Sequence, residues 1–166
     1  DLRDHIARSG VFPSSRRLFN HQSDTLRTAA EPGKTDGRPT LVVTAGTGLG
    51  KTEAFLFPVL ADLWTAPKRS CNGGMRTLIL YPMNALVADQ VERLYRWLQG
   101  QSRLSLFHFT GETPEDKREA DRMGEPEWTA CRMRTRQEAR GLETHRGECI
   151  DSTNRNPVPD IIITNY

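Results

Sequence analysis

Four short apolar segments recur along the chain, and polar or turn-forming residues bound each of them. They cover residues 41–44 (LVVT), 77–81 (TLILY), 104–109 (LSLFHF) and 160–164 (DIIIT). Three of them are nearly continuous apolar runs, which is typical of strands covered on both faces of a parallel sheet. The pattern therefore predicts an α/β fold, a parallel sheet with helices on both faces.

Helical periodicity fills two of the intervals between these segments. Between the second and third strands, six side chains fall at helical spacing: Leu86, Gln90, Val91, Leu94, Tyr95 and Leu98. Gly100 follows them as a C′ stop. After the first strand, KTEAFLFPVLADLW predicts another helix with Pro58 in its interior. An interior proline costs a helix about 3 kcal/mol, so we expect an interruption after the first two turns.

The segment AGTGLGKTE lies between the first predicted strand and this helix. It matches the phosphate-loop pattern, with Ala45 in the first Gly position. Backbone N–H groups can wrap phosphate oxygens only where no side chain obstructs them, which Gly48 and Gly50 allow. Lys51 is predicted to reach the β- and γ-phosphates, and the Thr52 hydroxyl to ligate Mg²⁺. A Gly-rich turn that happens to carry a lysine is the alternative.

The predicted nucleotide contacts of this loop are Ala45, Gly46, Thr47, Gly48, Leu49, Gly50, Lys51, Thr52 and Glu53. Lys51 and Thr52 are the predicted catalytic residues, and Thr52 is the predicted protein ligand of a nucleotide-bound Mg²⁺.

Composition narrows the class of protein. The 166 residues, 36% of them hydrophobic, suffice for one domain with a single core. A net charge of +2 permits nucleic-acid binding without indicating it. Cys71, Cys131 and Cys149 form no C-x-x-C pair, which argues against a disulfide framework or zinc site and favours a reducing, cytoplasmic location. No apolar run reaches membrane-span length, and the first residues are too polar for a signal peptide.

Residues 112–158 differ from the rest of the chain. They are crowded with charges of both signs and poor in apolar residues, so we expect them to bury little surface. We interpret them as a charged, mobile insertion within a single domain, 1–166. Trp128 is interpreted as an anchor onto that domain. The insertion contains a basic run that could contact phosphates, although a solvated, partly helical face is favoured: Arg132, Arg134, Arg136 and Arg140.

Five segments occur in the order and rough spacing of the first RecA-like domain of superfamily 2 DEAD/DEAH-box helicases. They are LFNHQ, AGTGLGKTEAF, LILYPMNALVADQ, FTGETP and PDIIITNY. The chain thus resembles the N-terminal part of that domain, interrupted by the charged insertion. Its YPMNALVADQ segment is similar to that of MrfA-type repair helicases and of the DrmA-type helicase of the DISARM phage-defence system. Met83 and Asn84 replace the Thr-Arg of the DEAD-box string at this point.

The resemblance implies roles outside the phosphate loop. Gln22 resembles the glutamine that hydrogen-bonds the adenine edge, and Phe19 would pack near the base. A helix-capping or surface glutamine is the alternative. Nucleic-acid contacts are implied at strand ends, where ligands of open α/β folds bind, although Thr110 and Thr164 taken singly could be turn residues. These implied contacts are Pro82, Asn84, Thr110, Gly111 and Thr164.

The resemblance also implies missing parts. The family's Asp-Glu-x-His or Asp-Glu-Ala-Asp box holds Mg²⁺ and positions the attacking water. It does not occur in this sequence, and neither Asp89 nor Asp160 follows an apolar strand as required. A second RecA-like domain is absent too. We therefore expect a piece of a longer protein that is inactive alone, with an open sheet edge covered by the rest of that chain or by a partner subunit.

The predicted function is an ATP-dependent helicase or translocase motor domain that uses ATP and Mg²⁺ and acts on single-stranded nucleic acid, DNA in preference to RNA. Two other classes stay open. A different phosphate-loop phosphotransferase would share the loop but has no use for YPMNALVADQ and TGETP. An ATP-binding interaction module would keep the loop without hydrolysis. Stimulation of ATP turnover by single strands would distinguish a helicase from a phosphotransferase. An Asp-Glu-x-His box further along the chain would distinguish it from a non-hydrolysing interaction module.

Overall fold

The computed structural model describes residues 2–8, 12, 15–30, 40–67, 75–123, 135–139 and 158–165. The chain divides into two compact units, residues 1–66 and 67–166. The first unit contains α1 (Leu2–Arg8), α2 (Asn20–Ala30) and α3 (Lys51–Thr65). The second contains β1 (Thr77–Tyr81), α4 (Asn84–Leu98), β2 (Leu106–Phe109), α5 (Lys117–Met123) and β3 (Ile161–Asn165).

In the first unit, α3 packs against both α1 and α2. The helix runs without a break from Lys51 to Thr65, so the expected interruption at Pro58 is wrong. Pro58 removes one backbone donor, but Leu60 and Leu63 beyond it are fully or almost fully buried. Burying a leucine side chain contributes about 1.5–3 kcal/mol, which offsets the missing hydrogen bond. Packing, rather than helix propensity, therefore sets the length of α3.

Residues 41–44, the first predicted strand, do not form a strand in this structure. Val42 is 84% exposed and Leu41 is 39% exposed. A strand exists only where its backbone pairs with a neighbour, and the sheet in the described part of the chain consists of β1, β2 and β3. The prediction of a strand at 41–44 is therefore wrong here, because the apolar pattern reports burial tendency and not the presence of a partner.

The second unit is built on a parallel sheet with the strand order β1-β3-β2. Thr77–Tyr81 pairs with Ile161–Asn165, and Leu106–Phe109 pairs with Ile161–Thr164. The strands predicted from the other three apolar segments are confirmed, and β3, the last in sequence, is the central one. This sheet with its helices is an incomplete RecA-like α/β fold.

One strand is less covered than the apolar pattern predicts. Leu78 and Leu80 of β1 are 50% and 54% exposed, while Ile79 between them is buried. The side chains of a strand alternate between the two faces of the sheet, so one face of β1 is covered and the other is open. The expectation of burial on both faces is wrong for this strand, which is at the edge of the described sheet.

Helix α4 contacts β1 and β3 through an apolar face. The buried residues include Gln90, Val91, Leu94, Tyr95 and Leu98, as predicted. Leu86 is instead 43% exposed, and Trp97, which the pattern did not include, is fully buried. Gly100 follows the helix with a φ of 75°, in the left-handed region, which confirms the predicted stop.

Asp160 ties together the residues that precede the three strands. Its Oδ2 accepts hydrogen bonds from the backbone N–H and the hydroxyl of Ser105, at 2.8 and 3.1 Å. Its Oδ1 accepts from Nε and Nη2 of Arg76, at 3.1 and 2.9 Å. The residue is 6% exposed and lies at the amino end of β3. Its carboxylate therefore has a structural role.

The described parts of the charged segment bury more surface than the sequence indicates. Thr113, Pro114, Ala120 and Thr135 are all buried. Residues 136–139 form a helical turn. The four buried residues are exceptions to the expected low burial, and the interpretation of 112–158 as an insertion stays a prediction. Several residues considered above lie outside the described part: Cys71, Trp128, Cys131, Arg132, Arg134, Arg140 and Cys149. In the part that is described, no helix is long and apolar enough to cross a membrane.

Candidate phosphate loop and strand-end surface

The phosphate loop, residues 45–53, leads into the first turn of α3. Gly48 and Gly50 have φ angles of 76° and 70°. Both angles lie in the left-handed region, which residues other than glycine adopt only at a cost of roughly 1–2 kcal/mol. Gly50 is the residue immediately before the helix, at its N-cap position. The two glycines therefore adopt the backbone conformation for which the sequence pattern needs them.

The Lys51 ammonium lies against the backbone of its own loop. Nζ donates to the carbonyl oxygens of Ala45 and Gly46, at 2.9 and 3.2 Å. The side chain is exposed, and it sits at a helix N-terminus, where backbone N–H groups also favour negative charge. The residues present thus fit the phosphate groups of a nucleotide. On binding, the Lys51 amine would donate to phosphate oxygens instead of to the two carbonyl oxygens.

Gln22 links α2 to the loop. Its Oε1 accepts a hydrogen bond from the backbone N–H of Phe19 at 3.0 Å, and its Nε2 donates to the carbonyl of Gly50 at 2.9 Å. Gln22 is only 2% exposed. A Cβ added to Gly50 would lie 2.4 Å from Nε2, so the contact also requires glycine at that position. The carboxamide supports the loop in this conformation, and the adenine contact predicted for it would require the side chain to become accessible.

The other predicted nucleotide contacts are more open. Phe19 is 43% exposed, and its ring stacks on that of His21 with the centroids 5.8 Å apart. Thr52 and Glu53 lie in the first turn of α3 and are partly exposed. No group of three or more His, Cys, Asp or Glu side chains among the described residues could hold a metal ion. Thr52 thus stays the one predicted Mg²⁺ ligand among the residues that the structure describes.

The carboxyl ends of β1, β2 and β3 lie at one edge of the sheet, since all three strands are parallel. Tyr81 is opposite Asn165, and Phe109 is opposite Thr164. We call residues 82–84, 110–113 and 164–165 at this edge the strand-end surface. The sheet thus brings together all the residues for which nucleic-acid contacts are predicted: Pro82, Asn84, Thr110, Gly111 and Thr164.

Side-chain amides connect the three segments of the strand-end surface. Asn165 Nδ2 donates to Asn84 Oδ1 at 2.6 Å, and Asn84 Nδ2 donates to Glu112 Oε1 at 3.1 Å. Asn165 and Glu112 were not among the predicted site residues. Asn165 could have been found, because a polar residue at the end of an apolar run marks a strand end. Glu112 gave no such signal within its charged surroundings.

The two threonines use their hydroxyls within the protein. Thr110 is 7% exposed, and its Oγ1 accepts from the backbone N–H of Glu112 at 3.2 Å. The Thr164 hydroxyl donates to the carbonyl of Phe109 at 2.5 Å. These are the turn roles that the sequence left open as alternatives. The nucleic-acid contacts implied for Thr110 and Thr164 stay a prediction, and of the other implied contacts Pro82 and Gly111 are exposed.

Tyr81, the last residue of β1, has a buried hydroxyl that finds no hydrogen-bond partner among the residues that the structure describes. Burial raises the pKa of this hydroxyl to about 12. The Arg93 guanidinium opposes this rise in pKa and the Asp89 carboxylate adds to it, both to a smaller extent. The neutral phenol is therefore the favoured form in the folded protein.

Two comparisons with known proteins bear on this geometry. The family model described as DEAD/DEAH box helicase matches residues 20–134, from the first residue of α2 to beyond α5. The chain therefore belongs to the DEAD/DEAH box helicase family, which confirms the resemblance seen in its motifs. It is also similar to the Druantia protein DruE of Escherichia coli (strain UMEA 4076-1), with 36% identity over 126 residues. That match covers 66% of this chain and 7% of the relative's length.

Proposed function

We propose that the protein is an ATP-dependent helicase or translocase, and that this chain is part of the first of two RecA-like motor domains. The observation that carries the proposal is the phosphate loop: left-handed Gly48 and Gly50 place the Lys51 amine at the N-terminus of α3. A loop of this kind in a DEAD/DEAH box helicase family member is suited to a nucleoside triphosphate.

Bound ATP with Mg²⁺ would supply the phosphoryl group whose transfer to water releases free energy. The loop N–H groups and the Lys51 ammonium would bind the phosphate oxygens and stabilise negative charge that develops on them. Thr52 would orient the metal through its hydroxyl. The first turn of α3 would hold these groups rigidly, because the buried leucines of the helix fix its position.

We further propose that the strand-end surface binds single-stranded nucleic acid, DNA in preference to RNA. Its location supports this, because ligands of open α/β sheets bind at the carboxyl ends of the strands. Its groups are mostly backbone and uncharged side chains, which suit phosphate and sugar contacts that carry no sequence information. A role in phage defence is proposed from the similarity of YPMNALVADQ to the DISARM-type segment.

The test is the ATPase rate of the full-length protein with and without single-stranded DNA or RNA, beside a Lys51→Ala variant from the same preparation. We expect single strands to raise the ATPase rate of the wild type, and DNA to raise it more than RNA does. The Lys51→Ala variant should show no ATP turnover. Turnover that is indifferent to nucleic acid would favour a different phosphotransferase. Nucleotide binding without turnover under any condition would favour an interaction module.

A further inference from the structure

A capped helical turn from the charged segment is attached next to the strand-end surface. The backbone N–H groups of Arg136 and Gln137 donate to the carbonyls of Pro114 and Glu115, at 2.9 and 3.0 Å. Thr135 and Glu138 cap the turn reciprocally: each backbone N–H donates to the other side chain, at 3.2 and 3.1 Å. The turn lies just beyond the part of the chain that the family model matches, which ends at residue 134.

Arg136 reaches from this turn to the strand-end surface. Its Nη2 donates to the carbonyl oxygens of Thr110 and Gly111, at 2.8 and 2.6 Å. Its Cζ lies 5.9 Å from the centroid of the Phe109 ring, within the range of a cation–π contact. The capped turn therefore fixes the backbone of Arg136, and these contacts fix its guanidinium group. The entropy that it would otherwise lose on binding a ligand has already been lost on folding.

The strand-end surface has no cation of its own. Residues 82–84, 110–113 and 164–165 contain no Lys or Arg, and Glu112 is their one charged residue. Among the residues that the structure describes, no carboxylate lies within ion-pair distance of the Arg136 guanidinium. A guanidinium has five N–H donors. In Arg136, Nη2 donates to the two carbonyl oxygens and Nε is buried, so the two N–H groups of Nη1 are the ones that a phosphate could contact.

We propose that Arg136 is a phosphate-binding residue of the strand-end surface and supplies the positive charge that this surface otherwise lacks. The ligand is a phosphodiester of the single strand, so the inference rests on the proposed nucleic-acid function. Held by the carbonyls of Thr110 and Gly111, the guanidinium is fixed where a strand crossing the carboxyl ends of β2 and β3 would pass. Part of the charged segment thereby belongs to the nucleic-acid site.

The test uses the dependence of binding on salt. Neutralising one phosphate contact on a single strand contributes about 0.7 to the slope of log K against log[salt]. Fluorescence-anisotropy titrations of the full-length protein, with two unrelated single strands at several salt concentrations, should therefore show a slope about 0.7 less steep for Arg136→Gln. The same relation predicts about fivefold weaker binding at 0.1 M salt, equally for both strands.

Two further variants separate charge from shape. Arg136→Lys keeps the charge and should keep the wild-type slope, with an affinity between those of the wild type and Arg136→Gln. Arg96→Gln is the matched control, because Arg96 is an exposed arginine near the end of α4 that pairs with Glu92. It is about 18 Å along the helix from Asn84, so neither slope nor affinity should change.

Several results would contradict the proposed role of Arg136. Weaker binding with an unchanged slope in Arg136→Gln would mean that Arg136 only shapes the loop, and would overturn it. Equal losses in the Gln and Lys variants would overturn it as well. If Arg136→Gln does not fold, judged by its thermal melt, Arg136→Lys decides: a lower affinity with a wild-type slope supports the proposal, whereas a shallower slope, or an affinity and slope that both equal those of the wild type, overturns it. A wild-type protein that binds no single strand would instead refute the proposed function, and this inference with it.

Discussion

The phosphate loop is formed by residues that are close together in the sequence, whereas the strand-end surface is formed by residues that are far apart in it. The loop comes from one continuous segment, residues 45–53, with Gln22 as its partner from α2. The strand-end surface is assembled from three segments, and its central hydrogen bond, from Asn165 to Asn84, joins residues 81 positions apart. Gly48 and Gly50 take up left-handed conformations even though residues 41–44 before them form no strand. Local chemistry thus shapes the first region, and strand pairing shapes the second.

This difference has a consequence for substitutions. A locally built loop depends on a few residues that no neighbour can replace, so single changes there should have large effects. A surface assembled by a sheet shares its support among many backbone hydrogen bonds, so single side chains there should matter less. Five tests by substitution address this contrast, the largest expected effect first.

Lys51→Ala should reduce ATP hydrolysis by the full-length protein to less than a tenth of the wild-type rate, with or without nucleic acid. Lys51 is the one cation in the loop sequence AGTGLGKTE, so no loop side chain can replace its charge at the phosphates. A phosphate-release assay measures the rate. The control is Lys117→Ala, since Lys117 is exposed and pairs with Glu138 at 3.6 Å. Lys117→Ala should keep the basal rate, and turnover above a tenth in Lys51→Ala would contradict the assignment.

Gly50→Ala should damage the loop more than Gly48→Ala does. Both positions carry a left-handed backbone, which costs alanine roughly 1–2 kcal/mol. Only at Gly50 would the new Cβ also collide, 2.4 Å from Gln22 Nε2, whereas at Gly48 nothing lies within 4 Å. Thermal melts and ATP titrations of the two variants provide the comparison. Equal losses would show that the Gln22 contact does not hold the loop.

Gln22→Ala should weaken ATP and GTP binding by the same factor. The substitution leaves the Gly50 carbonyl and the Phe19 N–H without their partner, at a cost of about 1–3 kcal/mol. That loss acts on the loop and not on the base. Competition titrations with both nucleotides measure it, with the exposed Gln99→Ala as the control. A loss confined to ATP would restore the adenine contact predicted from the sequence.

Thr110→Ala combined with Thr164→Ala should weaken single-strand binding modestly and equally for unrelated sequences. Each change removes a hydroxyl hydrogen bond worth about 1 kcal/mol that holds a turn at a strand end. Neither group is charged, so the salt dependence should stay as in the wild type. Thr28→Ala is the control, because it removes a similar hydroxyl-to-carbonyl bond in α2. A collapse of basal ATP hydrolysis would show that these threonines support more than the strand-end surface.

Tyr81→Phe should have the smallest effect near neutral pH, since it removes a buried hydroxyl that has no hydrogen-bond partner within the described part of the chain. The pKa of Tyr81 is raised from 10.0 to about 12. Its neutral form is thus favoured by folding, and this contribution to stability is complete below pH 10 and is lost as the pH rises towards 12. Thermal melts at increasing alkaline pH should therefore show a shallower decline of Tm for Tyr81→Phe. Parallel declines would contradict the raised pKa.

The sequence predicts those features that depend on neighbouring residues in the chain. The glycine conformations of the phosphate loop, the face of α4 from Gln90 to Leu98 and the strands at 77–81 and 160–164 follow from local patterns. Residues 41–44 carry the same strand signal as 77–81, yet in the described part of the chain they pair with no strand, and no local pattern reports that. The continuation of α3 through Pro58 is likewise not predicted by a local pattern, because it depends on the burial of Leu60 and Leu63 against other parts of the chain.

Arg136 shows the same limit within the candidate site. In the sequence it is one of several arginines in a charged run, and nothing local distinguishes it. Its hydrogen bonds to the carbonyls of Thr110 and Gly111 depend on the backbone hydrogen bonds that attach residues 136–137 to residues 114–115. Contacts of this kind are set by the fold, so the charge pattern alone favoured a solvated face.

The order β1-β3-β2 also affects how the protein is made. The central strand is synthesised last, and the ion pair of Arg76 with Asp160 spans 84 positions. On the ribosome, β1 and β2 must therefore wait for β3, with apolar side chains such as Leu78 and Phe107 lacking their strand partner. Parallel pairing over such separations is slow, and unpaired strands are prone to aggregation. The nascent chain should therefore be a client for chaperones until residue 165 has left the exit tunnel.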